Sequence, residues 1–210
     1  MIYNAVIAEK IAKQLLQIGA VKLSPSAPFT WASGKLSPIY CDNRMILSYP
    51  EARKMVAAGF AEAIQDKFKE VDIIAGVATG AIAHGVLVAD ILDKPFIYIR
   101  DKPKGHGRQN QIEGYYEKGK KVVVIEDLIS TGGSSLKAVQ ACRDEGLEVL
   151  GLIAIFSYQF KEAVENFKKE NCSYYTLSDF PFLLELNKRE AVYSIEDISF
   201  MENWYSSFGS

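Results

Sequence analysis

Four β-branched residues, Val122, Val123, Val124 and Ile125, run without interruption into two acids, Glu126 and Asp127. An unbroken apolar run of this kind suits a strand buried on both faces, which requires a parallel sheet with helices on either side. Past the acids, Ser130, Thr131 and Ser134 offer hydroxyls, Gly132 and Gly133 remove side-chain bulk, and Leu136, Ala138 and Val139 begin the apolar stripe of a helix. Burying charge is costly unless it is paired or hydrogen-bonded, so Glu126 and Asp127 are expected to face a ligand's hydroxyls or a metal. The helix start, with unpaired N–H groups and the positive end of its dipole, favours a phosphate dianion. An ordinary turn with a capping serine would explain the glycines but leaves the paired acids without a reason. No G-x-x-x-x-G-K-[ST] loop occurs, so this is not a Walker-type cradle. A diol beside a phosphate, as in a ribose 5-phosphate, fits the group types present.

The same strand-to-helix rhythm recurs along the chain. Residues 73–77, 96–99 and 149–156 read as further strands, with helical segments near 85–92 and 134–145, so ligands should gather at the carboxyl ends of a parallel sheet. Before them come a helix over 6–18 that stops at Gly19, a turn-rich stretch punctuated by Pro25, Pro28, Gly34 and Pro38, and a helix over 50–68 that opens on Pro50. After them come a helix over 161–169, a strand over 174–177 and two further helical stretches, the last opening with a capping box from Ser194 to Asp197. Trp204, Tyr205 and Phe208 read as residues that dock the tail.

With 210 residues and 49% hydrophobic composition, the chain is expected to form one domain over 1–210. No stretch of eighteen apolar residues exists and no basic-then-apolar leader opens the chain, so a soluble cytoplasmic protein without a membrane partner is expected. Cys41, Cys142 and Cys172 are too far apart in sequence to suggest a disulfide framework or a zinc site. A net charge of −2 gives no nucleic-acid footprint.

Two other segments bear on chemistry. Segment 76–85 (GVATGAIAHG) follows a strand, and its small residues either let main-chain amides approach an anion or reflect tight helix packing. His84 within it reads as a packing or solvent-facing residue. Segment 100–111 (RDKPKGHGRQNQ) carries four Lys or Arg residues and a histidine flanked by glycines. It could be a solvated surface loop, but a long structureless insertion in a compact domain is uncommon unless functional, and a cationic lid over an anionic ligand explains it better.

Segment 126–134 (EDLISTGGS) resembles the phosphoribosyl pyrophosphate (PRPP) signature of the type I phosphoribosyltransferases. The resemblance implies a central parallel sheet flanked by helices, with PRPP held along Glu126, Asp127, Leu128, Ile129, Ser130, Thr131, Gly132, Gly133 and Ser134. The two acids would hold the ribose hydroxyls and the loop the 5-phosphate. By the same resemblance, segment 76–85 matches the pyrophosphate loop, with a non-proline cis peptide at Ala78–Thr79 and Thr79 in contact with PRPP. Arg100, Lys104 and His106 match lid residues that contact pyrophosphate, with Lys104, His106 and Asp127 as the catalytic set. Asp101 departs from the lysine of many members, and Lys102 would supply that charge with an altered reach.

Segment 29–44 (FTWASGKLSPIYCDNR) resembles the hood of the orotate branch of that family, so residues 20–48 are expected to form a small base-binding hood. Tyr40 and Arg44 of the hood, with Ser130, are the candidate orotate contacts. Ala32 and Tyr158 stand where one branch has a lysine and an arginine. The implied reaction transfers the phosphoribosyl group from PRPP to N1 of orotate, giving orotidine 5′-monophosphate and pyrophosphate in pyrimidine synthesis. The implied cofactor is Mg2+, held mainly by PRPP and water and not directly by protein ligands. The implied partner is a second copy, the lid closing over the neighbouring protomer's site. A purine or uracil phosphoribosyltransferase would share the acids and phosphate loop without needing the hood. A regulatory PRPP sensor would be expected to lack the lid cations.

Overall fold

A computed structural model describes residues 1–31, 34–102 and 111–208. In chain order its elements are α1 (Ala5–Gln17), β1 (Val21–Leu23), β2 (Phe29–Thr30), β3 (Leu36–Ser37), β4 (Ile39–Cys41), a 3-10 helix (Asn43–Ser48), α2 (Pro50–Lys67), β5 (Ile73–Val77), α3 (Ile82–Leu92), β6 (Phe96–Ile99) and β7 (Ile112–Glu113). There follow β8 (Lys121–Ile129), α4 (Gly133–Asp144), β9 (Glu148–Ser157), α5 (Lys161–Lys169), β10 (Tyr174–Asp179), α6 (Phe180–Glu190) and α7 (Ile195–Ser207).

The main sheet has six strands in the order β10-β9-β8-β5-β6-β7, parallel throughout except for the antiparallel β7 at one edge. From β5 the chain steps to β6 on one side, and from β8 to β9 on the other. Crossovers of the usual right hand running in these opposite directions would put α3 and α4 on opposite faces, and the order reverses between β5 and β8, which is where sheets of this kind open a ligand crevice. The run from Val122 to Ile125 is fully buried at the sheet centre, as its lack of alternation requires. The aromatic rings of Phe60, Phe156, Phe167 and Phe180 are buried around it.

β8 is longer than the sequence pattern suggests. It continues through both acids to Ile129, because β9 keeps pairing with it as far as Leu128↔Phe156 and Ile129↔Ser157. On its other side the ladder to β5 stops at Gly76↔Ile125. Residues 126–129 therefore form a strand with one edge paired and the other turned to the crevice.

The hood is built from two small antiparallel pairs, β1 with β4 and β2 with β3, followed by the 3-10 helix. The C-terminal helix holds it from outside. Trp204 donates its indole N–H to the Leu36 carbonyl (2.9 Å), its ring meets Trp31 edge-on, and Phe208 stacks on Phe160 with centroids 4.6 Å apart. Ser194 caps α7, its hydroxyl accepting from the Asp197 N–H and donating to the Asp197 carboxylate. Among the described residues no helix is long and apolar enough to cross a membrane.

Candidate active site

Three segments far apart in sequence meet at the carboxyl ends of β5 and β8. The first is the acid pair. The Glu126 side chain is buried, and both of its oxygens are engaged: Oε2 accepts from the Ser135 hydroxyl (2.8 Å) and Oε1 from the Asp127 N–H (3.0 Å). Burial, and secondly the Asp127 carboxylate beside it, push its pKa above the ordinary value. Asp127 alternates to the other side of the strand and is only part-buried, so of the two it is the acid offered to the crevice.

The second segment is the turn after β5. The peptide between Ala78 and Thr79 is cis, at the position the resemblance indicated. Gly80 follows, and here the lack of a side chain makes room for the acid, since a Cβ at this position would lie 2.1 Å from Oδ2 of Asp127 and 2.5 Å from its Cγ. No L residue with a side chain fits while the carboxylate stays where it is. Thr79 is exposed beside it.

The third segment is the hood's exit. The Asn43 side chain, 2% exposed, donates through Nδ2 to the Asp127 main-chain carbonyl at 2.6 Å, and its Oδ1 accepts from the Cys41 thiol at 3.4 Å. The hood is thus hydrogen-bonded to the same residue that the Gly80 turn accommodates. Next to it, Arg44 forms a two-pronged pair with Asp42 (Nε to Oδ1 2.7 Å, Nη2 to Oδ2 2.9 Å) while two-thirds of its side chain remains exposed. Tyr40 is exposed, its ring 5.7 Å from Phe29.

Beyond the acids, Ser130 is part-buried, and Thr131, Gly133 and Ser134 are exposed at the start of α4. Gly132 takes a left-handed φ of 81°, and its missing Cβ leaves room for the Phe167 ring, which would otherwise be 2.8 Å away. No side chain caps α4, so its first N–H groups are open to an anion. Arg100 pairs with Glu113 (3.4 Å) at the base of the cationic loop, and Lys102 is exposed. Lys104 and His106, like Ala32, lie outside the described residues. Tyr158 is buried, its ring stacked against Phe160 (5.3 Å) and tilted against Trp31 (5.2 Å), so it belongs to the aromatic wall between hood and sheet.

Sequence reasoning did not single out Asn43, Ser135 or the steric role of Gly80. Asn43 stands next to Arg44 in the hood segment and Ser135 one residue past the signature, but their partners are 84 and nine positions away.

The buried Glu126 gives a prediction about stability. Its folded pKa is raised, so the folded protein holds this proton more tightly than the unfolded chain does. Stability should therefore fall as pH rises above the ordinary carboxylate value of 4.5, until the group ionises within the fold. Glu126→Gln keeps both hydrogen bonds, with its amide N–H donated to Ser135, and has no proton to lose. The variant should gain on wild type by about 1–3 kcal/mol between mildly acid and mildly alkaline pH, measured by denaturant unfolding across that range. A gap that does not change with pH would mean Glu126 is ionised throughout.

Comparison with known proteins bears on this crevice. Residues 43–181 match the phosphoribosyl transferase domain family. An orotate phosphoribosyltransferase of Streptococcus pneumoniae is 51% identical over 205 residues, covering 94% of this chain and 98% of that protein. One from Bacillus anthracis is 49% identical over 196 residues, covering 93% of each. Among solved structures, Leishmania donovani UMP synthase superposes with a TM-score of 0.80 at 27% identity, over 98% of this chain and 43% of that one. The orotate phosphoribosyltransferase of Aeropyrum pernix superposes with a TM-score of 0.76 at 27% identity, over 88% of this chain and 99% of that one.

Proposed function

The chain belongs to the orotate phosphoribosyltransferase family, within the type I phosphoribosyltransferases, and from that premise we propose how its crevice performs the reaction. The enzyme transfers the 5-phosphoribosyl group of PRPP to N1 of orotate, releasing pyrophosphate and giving orotidine 5′-monophosphate for pyrimidine biosynthesis. The observation that carries the site assignment is the meeting of three motifs on Asp127, with Gly80 at its carboxylate, Asn43 at its carbonyl and Glu126 beside it.

In this reading the 5-phosphate rests on the open N-terminus of α4, among Ser130, Thr131, Gly132, Gly133 and Ser134. Asp127 meets the ribose hydroxyls and offsets the positive charge that develops on the ring as the glycosidic bond breaks. Glu126, already hydrogen-bonded, shapes that acid from behind. Thr79 and its neighbours face the pyrophosphate. Arg100, Lys102, Lys104 and His106 supply positive charge to the leaving group, whose negative charge grows in the transition state, so their effect falls on rate more than on ground-state binding. Tyr40, Arg44 and Ser130 receive orotate.

The acids are oxygen donors of the type magnesium prefers, but Glu126 is occupied by protein partners, so PRPP and water would provide most of the coordination, with Asp127 the protein oxygen nearest at hand. When bound, Mg2+ would neutralise phosphate charge. The three cysteines are free thiols, which suits a reducing cytoplasmic setting.

The assay that tests this reading follows the loss of orotate absorbance with PRPP and magnesium, with uracil, hypoxanthine and adenine as competing acceptors. Orotate alone should be consumed. Consumption of a purine or uracil instead would identify a different acceptor class. Within the site, Arg44→Ala should raise the Michaelis constant for orotate roughly tenfold or more and leave that for PRPP nearly unchanged, as expected for loss of a charge-assisted contact to the carboxylate. Equal effects on both would make Arg44 a support of the hood through Asp42.

We also propose that the enzyme is a homodimer with lids exchanged. The composition of segment 100–111 supports this, since with four Lys or Arg residues and little apolar material it is too polar to pack on its own core. Mixing a lid-dead chain (Lys104→Ala with His106→Ala) with a cradle-dead chain (Asp127→Asn) should restore activity. Random reassortment makes about half of all dimers hetero, each with one working site, so roughly a quarter of wild-type activity should return. No recovery despite verified subunit exchange would assign each lid to its own protomer.

A further inference from the structure

His84 has no part in the reaction just described, yet it lies in the first turn of α3, fully buried at 0% exposure. Among the described residues neither Nδ1 nor Nε2 has a hydrogen-bond partner of good geometry, the Asn43 main chain lying close enough only to pull the ring towards its charged form. An imidazole buried in that condition loses hydration and gains nothing in return, and an apolar ring would pack there at lower cost. Its surroundings are those of the active site. Gly80, against which the Asp127 carboxylate rests, precedes it by one helical turn, and Asn43, which grips the Asp127 carbonyl, is among the groups nearest the ring. Burial pushes the imidazole pKa down, towards the neutral form, against the opposing pull of Asp127 and the Asn43 main chain. A neutral imidazole has one N–H to donate, and both of these neighbours present acceptor oxygens.

We propose that His84 is a positioning residue for phosphoribosyl transfer: when PRPP fills the crevice, its ring N–H is donated to one oxygen of the Asp127 carboxylate, leaving the other to the ribose. The inference rests on the crevice being the PRPP site. Its physical sense is that the unpaired donor destabilises the empty enzyme and not the loaded one, so satisfying it favours the loaded geometry. It also ties the acid to the α3 turn while Asn43 ties it to the hood.

The chain has two histidines, so 15N-imidazole NMR of the whole enzyme gives two ring systems, assigned by comparison with His84→Phe. Titration of wild type with PRPP and magnesium, orotate omitted to prevent turnover, should shift the His84 nitrogens to hydrogen-bonded values. His84→Phe should melt at or above the wild-type temperature while kcat falls by about a hundredfold, the cost of a slightly misplaced reacting group. His84→Gln, which keeps a donor, should recover part of the loss, and the Michaelis constant for orotate should change little in either variant. His84 resonances unmoved by saturating PRPP, or wild-type kcat in His84→Phe, would overturn the proposal. Should His84→Phe fail to fold, His106→Ala supplies the assignment and the wild-type titration decides alone. A wild-type enzyme that made no product from PRPP and orotate would instead refute the reading of the crevice.

Discussion

Asp127→Asn is expected to fold as wild type does and to lose on the order of a hundredfold or more of kcat. The substitution conserves shape, so the fit against Gly80 and the hydrogen bond from Asn43 to the main-chain carbonyl persist. What it removes is a negative charge beside a ring that becomes positive in the transition state. In a site where that charge is fixed in place, one such interaction contributes about 3–4 kcal/mol. Steady-state kinetics with unfolding curves on the same preparation separate the two effects. A folded variant with near-normal turnover would take Asp127 out of the chemistry.

Gly80→Ala should do comparable harm from a residue with no functional group. Its backbone is not in the left-handed region, so alanine is conformationally acceptable, and the only severe contact is with the Asp127 carboxylate at 2.1–3.0 Å. A short side chain yields more easily than a strand, so the expected result is an intact fold with the carboxylate rotated away from the ribose. A displacement of that size costs roughly a hundredfold in rate. The control is a double-mutant cycle. In an Asp127→Ala background there is no carboxylate to displace, and Gly80→Ala should add almost nothing. Additive losses would show that Gly80 acts through the turn itself.

Local signals made most of the fold legible. The strand over 73–77, that over 96–99 and the helix over 161–169 coincide with β5, β6 and α5, since each is a run whose burial or amphipathic pattern is complete within itself. The edge strand β7 and the 3-10 helix were not legible, because two residues or six give no period to detect. The end of β8 escapes for a different reason. Two acids look like a strand terminus, and only the continuing ladder to β9 keeps them extended. At the site, the signature and the hood could be recognised as stretches of sequence, while their joint could not. Asn43 and Asp127 are 84 positions apart, and Gly80 shows its purpose only when the carboxylate is seen against it.

The aromatic wall has an optical consequence. The chain's only two tryptophans, Trp31 on the hood and Trp204 on α7, lie with ring centroids 5.8 Å apart and planes at 87°. At that separation the two indoles share their electronic excitation, and no third indole obscures the signal. The long-wavelength tryptophan band of the near-ultraviolet circular dichroism and the tryptophan emission of the native enzyme thus report on this pair and the aromatic rings packed around it. Base binding that lifts or tightens the hood changes the coupling, so hood movement can be timed by stopped flow in the unlabelled wild-type protein.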